Sequence, residues 1–222
     1  MKIEKIIRSK RKTISLHICE DATLLVKAPN NASNEIINRV VIKHKNWVEK
    51  KKREVQSRDL KFIKKEFLNG ENFLYLGNSY KLNLVKNQET PLIFENVFYL
   101  SIKYLPNAKE IFIDWYKKRA YEKICQRAKL YAQKKGFRYN SIKITNALKT
   151  WGSCSYQGNL NFTWRLIMAP LNVVDYVVVH ELIHLDEKNH SRIFWEKVEI
   201  LMPGYKEHKE WLKKNGHILK LQ

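Results

Sequence analysis

The sequence predicts an α+β fold in two parts: a β-rich N-terminal domain over residues 1–105, with one amphipathic helix, and a compact α+β domain over residues 106–222. Three observations predict it. Short β-branched and apolar runs between turn residues fill the first hundred residues, which is typical of strands. From residue 107 the apolar side chains change to helical spacing. Hydrophobic residues make up 44% of the chain and aromatic residues 12%, enough for a real core.

The N-terminal domain is expected to begin with a hairpin, because two alternating runs, 13–18 and 23–28, flank a polar turn. Ser33 then offers an N-cap for a helix whose apolar residues recur at helical spacing as far as Val55. Turn residues separate the next apolar runs, which are too short for helices. Four strands are expected there, at 72–76, 80–85, 92–94 and 97–102.

The C-terminal domain is expected to begin with a long amphipathic helix over residues 107–135, which Gly136 ends. Two strands and two helices follow: strands 142–147 and 159–167, a helix capped at Asn172 or a near neighbour, and a helix that starts at Ser191. The apolar run after Asn172 indicates that the first of these two helices is buried.

Residues 180–184 read HELIH, an HExxH motif, and His190 follows His184 after six residues. Residues four apart lie on one face of a helix, so the imidazoles of His180 and His184 can converge on one Zn²⁺. Glu181 then lies beside the metal, where it can deprotonate a bound water. Burying these side chains would be costly without such a partner. The motif therefore predicts a catalytic site with one zinc per chain.

His190 is the predicted third ligand. The residues after His184 are polar, as at a helix end, and a left-handed Asn189 would turn the chain back toward the metal. The histidine spacing matches the metzincin pattern, but Glu187 stands where that pattern has glycine. The alternative third ligands are later carboxylates, namely Glu196, Glu199 and Glu207.

Several short motifs lie around this site. They read WGSC at 151–154, NFTWRL at 161–166 with Pro170, YVVVHELIHL at 176–185, NHS at 189–191 and FW at 194–195. Together they resemble the YgjP-like metallopeptidase family, which is itself similar to the SprT and WLM zinc peptidases. The resemblance implies a zincin-like peptidase domain with ligands at His180, His184 and His190 and a catalytic Glu181.

The mechanism expected from these residues is hydrolysis of a peptide bond in a polypeptide substrate. Zinc lowers the pKa of its bound water, Glu181 takes the proton, and Glu181 later returns it to the leaving amine. Two roles stay open. The candidate donors to the oxyanion are Tyr176, Tyr205, His208 and the backbone amides of residues 151–153, and the candidate acceptors for ligand ring N–H groups are Asp175, Asp186 and Glu196.

The WGSC stretch has two interpretations. It can line the cleft and bind an extended peptide by strand addition, as the edge strands of zincins do. It can equally be a glycine turn with a packed tryptophan. Cys154 lies within reach of the zinc by this order of elements, but a lone cysteine between serines is more often a small buried residue.

The net charge of +20 is the other large signal. Residues 1–105 and 106–222 each carry 21 basic and 11 acidic side chains, and the densest stretch, from Lys43 to Lys65, has ten basic against three acidic. It predicts a surface for nucleic acid or another acidic partner, or simply a solvated helix face. The alternative function is therefore a nucleic-acid-binding module in which the zinc is structural or catalytically idle.

Cellular location is predicted from what the sequence lacks. The N-terminus has no apolar core of a signal peptide, and no apolar run is long enough to span a membrane. Cys19, Cys125 and Cys154 are odd in number and widely spaced, so no disulfide framework is expected. We expect a cytoplasmic protein without membrane association.

Overall fold

The computed structural model describes residues 3–19, 21–56 and 65–221. Its contacts divide the chain into two compact units, Met1–Phe62 and Ile63–Gln222. The described residues form six α-helices and three small sheets, so the fold class is α+β, as predicted. No helix among them is long and apolar enough to cross a membrane.

The first unit is a three-stranded sheet with two helices. Its elements are β1 (Lys5–Ser9), β2 (Ser15–Ile18), β3 (Leu24–Pro29), α1 (Asn34–Lys43) and α2 (Lys45–Gln56). The central strand β3 pairs antiparallel with β2, which confirms the predicted hairpin, and parallel with β1, which has no predicted counterpart. Alternate side chains of β3, beginning with Leu24 and Val26, form a core with both helices.

The single helix predicted after Ser33 is two helices in the structure. Ser33 caps α1 as expected, since its side chain accepts a hydrogen bond from the Ile36 amide at 3.3 Å. His44 has φ −104° and ψ 20°, which are not helical values, and it separates α1 from α2.

The basic stretch that begins at Lys43 covers α2 and continues past it. Its residues 57–64 lie outside the described residues. Three of its described lysines face carboxylates at 2.8 to 3.8 Å: Lys45 with Glu49, Lys52 with Glu4, and Lys65 with Glu71. Part of the basic excess is therefore neutralised within the chain, and the nucleic-acid partner stays a prediction.

The second unit begins with a four-stranded sheet. Its strands are β4 (Asn72–Tyr75), β5 (Asn78–Val85), β6 (Leu92–Phe94) and β7 (Phe98–Ser101), in the order β4-β5-β7-β6, and all four were predicted. Aromatic rings pack it against α3 (Ala108–Lys135): Phe73 lies 4.3 Å from Phe112 between ring centroids. The four-stranded sheet shares its core with α3. The boundary between the two compact units therefore falls between Phe62 and Ile63, whereas the sequence predicted a boundary near residue 105.

Helix α3 confirms the long predicted helix, and Gly136 ends it with a left-handed φ of 72°. Its buried stripe runs through the core of the second unit. Arg127 on this helix donates hydrogen bonds of 2.5 and 2.6 Å to the carboxylate of Asp175, and the Tyr131 hydroxyl donates to the same carboxylate at 3.1 Å. This network joins α3 to the helix that carries the HExxH motif.

A three-stranded sheet lies next in the chain. Its strands are β8 (Ser141–Thr145), β9 (Gly152–Cys154) and β10 (Asn159–Thr163), with β10 central, parallel to β8 and antiparallel to β9. The predicted strand 159–167 is wrong beyond Thr163, because Trp164–Met168 form a 3-10 helix. Trp164 is fully buried there and its ring stacks on Tyr116 at 5.7 Å, so long-range contacts decide this conformation.

Three helices complete the second unit: α4 (Leu171–Ile183), α5 (Arg192–Leu201) and α6 (Tyr205–Asn215). The cap predicted at Asn172 or a near neighbour is Pro170, two residues earlier, whose carbonyl accepts from the amides of Val173 and Val174. The turn between β4 and β5 fixes this start: a Cβ on Gly77 would lie 2.8 Å from the Pro170 Cα.

Helix α5 begins where it was predicted to begin. The Ser191 hydroxyl accepts a hydrogen bond from the Phe194 amide at 3.4 Å, which makes Ser191 the N-cap. The chain then turns at Gly204, with φ 78°, into α6, a helix that the sequence did not predict. The loop before α5 and the face of α6 border the HExxH helix end.

Candidate metal centre

Helix α4 carries the first residues of the motif into the protein interior. Its valines are buried on every side of the helix, so most of the helix from Val173 onward lies in the core. Its last turn holds His180 and Glu181, and the helix ends at Ile183 with His184 as the next residue. The motif therefore sits at the point where a buried helix reaches the surface.

The three histidines of the predicted site lie together. Their ring nitrogens are within 4.8 Å of one another, and the Nε2 atoms of His180 and His190 are 2.9 Å apart. Two imidazole nitrogens this close need a proton or a cation between them. Within residues 3–19, 21–56 and 65–221, His180, His184 and His190 form the one group of three or more ligand-type side chains placed to hold a metal.

Phe194 of α5 supports all three rings. Its ring centroid lies 4.9 Å from that of His180, 4.6 Å from His184 and 4.8 Å from His190, and the side chain has no exposed surface. The three imidazole rings therefore pack against the apolar Phe194 ring, which excludes water from that side of the site. From the sequence, Phe194 was recognisable only as an apolar residue near the start of a predicted helix, and its contact with the histidines was not predicted.

The loop from His184 to Ser191 brings His190 to the site. The Nδ1 of His184 lies 2.8 Å from the Glu187 carbonyl, a contact in which the ring N–H donates and the Nε2 lone pair stays available to a metal. Asn189 is not left-handed, so that expectation is wrong. Its side chain accepts from the Ser191 amide at 3.0 Å, which folds the loop by a hydrogen bond.

Glu181 is buried against β9. Gly152 makes this possible: a Cβ on Gly152 would lie 2.6 Å from Oε1 of Glu181, so no larger residue fits without displacing the carboxylate. None of the described residues donates a hydrogen bond to this carboxylate. Burial raises the pKa of Glu181 to about 8.

Burial favours the neutral form of two of the three histidines, His180 and His190. Burial lowers the pKa of His180 to about 3, with smaller contributions from the charges of His184, His190 and Lys209. Burial and the same neighbours His184 and Lys209 lower the pKa of His190 as well. The Nδ1 atom of His180 is buried without a hydrogen-bond partner. Neutral, converging nitrogens are what a divalent cation requires, so these residues fit a bound metal.

The alternative third ligands lie outside the histidine group. Glu196 pairs with Arg192 at 2.8 Å, and Glu199 accepts from the Gly204 amide at 3.5 Å. The acidic residues considered as acceptors for ring N–H groups are also engaged elsewhere: Asp175 with Arg127, and Asp186 with Lys197. The acceptor that the structure gives His184 is a backbone carbonyl, which no sequence signal identifies.

Cys154 also lies outside the group. Its Sγ is 3.4 Å from the Ser155 carbonyl, and burial raises the pKa of its thiol, which disfavours the thiolate a metal would need. Cys19, Cys125 and Cys154 form no disulfide with one another in the structure.

Aromatic and basic side chains of α5 and α6 flank the site opposite β9. Trp195 stacks on His190 at 5.6 Å and on Tyr205 at 5.3 Å, and the Lys209 ammonium lies 3.9 Å from the centre of the Trp195 ring. Tyr176 is buried, with its ring 5.9 Å from that of His180. The position of Lys209 beside the site was not predicted, because the sequence did not predict helix α6.

The three converging histidines, with the buried Glu181 next to them in the chain, form a site that could hold a metal ion. A family model described as "YgjP-like, metallopeptidase domain" matches residues 12–215. The chain therefore belongs to the YgjP-like metallopeptidase family.

A search of the solved structures gave a similar metallopeptidase. The crystal structure of the metallopeptidase zymogen of Pyrococcus abyssi abylysin is 21% identical and covers 41% of this chain and 93% of its own, with a TM-score of 0.38. No curated protein matches the sequence.

Proposed function

We propose that the protein is a zinc-dependent peptidase in which His180, His184 and His190 hold one zinc ion and Glu181 is the general base. The observation that carries this proposal is the approach of three imidazole rings, with ring nitrogens within 4.8 Å of one another, at the end of the helix that also buries Glu181. Nitrogen ligands favour zinc over magnesium or calcium, which prefer oxygen. Three protein ligands leave one coordination position for water or substrate, as in catalytic zinc sites.

A zinc ion held there supplies Lewis acidity, which polarises the scissile carbonyl and makes water a stronger acid. The residues of this chain do the rest. Glu181 accepts a proton at a carboxylate oxygen from the attacking water as the new C–O bond forms, then donates it to the amine nitrogen as the C–N bond breaks.

The protein also orients these groups. The Glu187 carbonyl fixes the ring of His184, and Phe194 fixes the positions of all three imidazoles. Because Phe194 is fully buried, it keeps water away from the ligands on the side that faces the core. A preorganised site needs little rearrangement when a substrate binds.

The free edge of β9 is the proposed binding strand for the substrate. Residues next to β9 pair inward with β10: the Trp151 carbonyl accepts from Thr163 at 3.0 Å, and the Ser155 amide donates to Asn159 at 2.9 Å. Because such bonds alternate along an antiparallel strand, the backbone groups of Gly152 and Cys154 point outward. An extended polypeptide can pair with them and lie across Glu181.

The test measures zinc and hydrolysis separately. We expect the purified protein to bind one zinc per chain, and the Glu181→Gln variant to retain the zinc and lose peptide hydrolysis. Glu199→Gln is the matched control, since Glu199 is an exposed glutamate of α5; it should retain both zinc and hydrolysis. Equal hydrolysis by Glu181→Gln and the parent protein would contradict the mechanism.

The third ligand is tested by the same assay. His190→Ala should lower zinc affinity strongly, whereas Glu196→Gln and Glu207→Gln should leave it unchanged. Loss of zinc in a glutamate variant, with zinc retained in His190→Ala, would assign the third ligand to a carboxylate instead.

A further inference from the structure

A cleft of about 470 Å³ lies beyond the C-terminal end of β9. Three segments of the second unit form it: the end of α3, the turn between β9 and β10, and the loop after α4. Phe137 and Leu185 are the apolar side chains of its otherwise mainly polar lining. It is separate from the histidines, none of which lines it.

The charges around this cleft are mainly positive. Lys135, Arg138 and Lys188 line it, and all three side chains are exposed. None of them has an ion-pair partner among the residues that the structure describes. The one acidic residue of the lining, Asp186, lies 3.7 Å from the Lys197 ammonium. The three cations outnumber the single acidic residue of the lining, so the cleft favours an anionic group, and Phe137 and Leu185 can contact an aliphatic stem.

An exposed tyrosine adds to the same cleft. Tyr156 is 91% exposed, although its ring is large and amphipathic, and the Lys188 ammonium lies 5.8 Å from the ring centre. The residue sits in the turn that directly follows β9. The Tyr156 ring and the Lys188 ammonium are therefore both accessible to a ligand that enters the cleft.

The position of the cleft relates it to the substrate path. Gly152 touches Glu181, and four residues of extended chain, about 13 Å, lead from it to Tyr156. Antiparallel pairing is the more stable arrangement for a strand added to an edge. In that direction the N-terminal part of the substrate runs toward the C-terminal end of β9, and so toward the cleft.

We propose that this cleft is a specificity subsite that binds acidic side chains located a few residues before the scissile bond. The proposal rests on the proposed peptidase function and names its substrate class: polypeptides with glutamate or aspartate on the N-terminal side of the cleaved bond. The ligand is a carboxylate on a peptide, held by Lys135, Arg138 and Lys188, with its stem against Phe137 and Leu185.

The test compares unstructured synthetic peptides that share one central sequence. The first has glutamates in its N-terminal half, the second has glutamines there, and the third has glutamates only in its C-terminal half. The zinc-loaded protein should cleave the first peptide with a kcat/KM about tenfold above that of the second, as two or three exposed charge pairs allow. The third should show no advantage over the second.

Two triple variants locate the effect. Lys135→Gln/Arg138→Gln/Lys188→Gln should bring the first two peptides to within about twofold of each other. Lys109→Gln/Lys118→Gln/Lys129→Gln removes the same charge from exposed positions of α3 and should keep the full preference. A preference lost equally in both variants, or a preference for the third peptide, would overturn the subsite.

Binding to the Glu181→Gln variant separates this proposal from the peptidase mechanism. Fluorescence anisotropy of the labelled peptides gives a Kd for each without turnover. Tighter binding of the first peptide, abolished by the cleft substitutions, supports the subsite even if the parent protein hydrolyses no peptide, and that failure then belongs to the proposed function alone. Equal Kd values for the first two peptides overturn the subsite, whatever the hydrolysis assay gives.

Discussion

Helix α4 buries two carboxylates that differ in their hydrogen-bond partners. Asp175 and Glu181 are each 5% exposed, and both lie on the same helix. Asp175 accepts hydrogen bonds from Arg127 and Tyr131, whereas Glu181 accepts none from the described residues. A buried charge is tolerated when the protein pairs it, and otherwise its pKa shifts. The first carboxylate thus stabilises the fold, and the second lacks such partners among the described residues, which agrees with the role of general base that we propose for it.

Substitution of Glu181 should give the largest effect on activity. We expect Glu181→Gln to lower kcat/KM by about 10² to 10⁴, the usual contribution of a general base. Its free energy of unfolding should not fall, because the carboxylate makes no hydrogen bond that the amide would lose. Urea unfolding followed by circular dichroism measures this. A large loss of stability would show that Glu181 has a structural role like that of Asp175.

Substitution of Asp175 should lower the free energy of unfolding, which substitution of Glu181 should not. Asp175→Asn leaves Arg127 without its counter-charge, and because the Arg127 side chain is 21% exposed we expect a loss of about 2–3 kcal/mol, less than for a fully buried pair. Thermal unfolding of the zinc-loaded protein measures the loss. The double variant Asp175→Asn/Arg127→Gln should be less unstable than the two single losses added together.

Gly152→Ala should affect activity more than stability. The new Cβ would lie 2.6 Å from Oε1 of Glu181, so the carboxylate must move away from its position beside the histidines. We expect kcat/KM to fall about tenfold and the free energy of unfolding by about 1–2 kcal/mol. Ser153→Ala, on the exposed side of the same strand, is the control and should change neither. An unchanged kcat/KM in Gly152→Ala would mean that Glu181 need not be held in place.

The smallest effect is expected at the loop that holds His184. Lys197 pairs with Glu187 at 2.8 Å, but its side chain is 38% exposed, so Lys197→Gln should cost less than about 1 kcal/mol. The Glu187 carbonyl, not its carboxylate, contacts His184, and zinc affinity measured against a competing chelator should change less than about tenfold. A larger loss of zinc affinity in Lys197→Gln would show that the ion pair of Lys197 with Glu187 helps to position the ligand His184.

Features that depend on neighbouring residues were predictable from the sequence. The caps at Ser33 and Ser191 and the stop at Gly136 each need only a short segment, and all three are confirmed. The spacing of His180 and His184 likewise follows from helix geometry alone. The loop to His190 was less predictable, because its shape comes from a side-chain hydrogen bond of Asn189 and not from a left-handed backbone.

Features that depend on distant residues were missed. The N-cap of α4 is Pro170 and not Asn172 itself, and Gly77 approaches Pro170 from a turn more than ninety residues earlier. Trp164 leaves the strand conformation because its ring is buried against Tyr116. Arg127, the partner of Asp175, lies 48 residues before it. Periodicity identifies which side chains are buried, but it does not identify their partners.

The shortness of β9 has a consequence for solubility. A strand at the edge of a sheet has unpaired backbone N–H and C=O groups, with which strands of other chains can pair, and such pairing is a common origin of aggregation. β9 spans only Gly152–Cys154, and just two of its residues direct backbone groups outward. Such an edge is too short to hold a neighbouring sheet by itself. It retains only chains that gain further contacts next to it, so the protein can keep this edge open without polymerising.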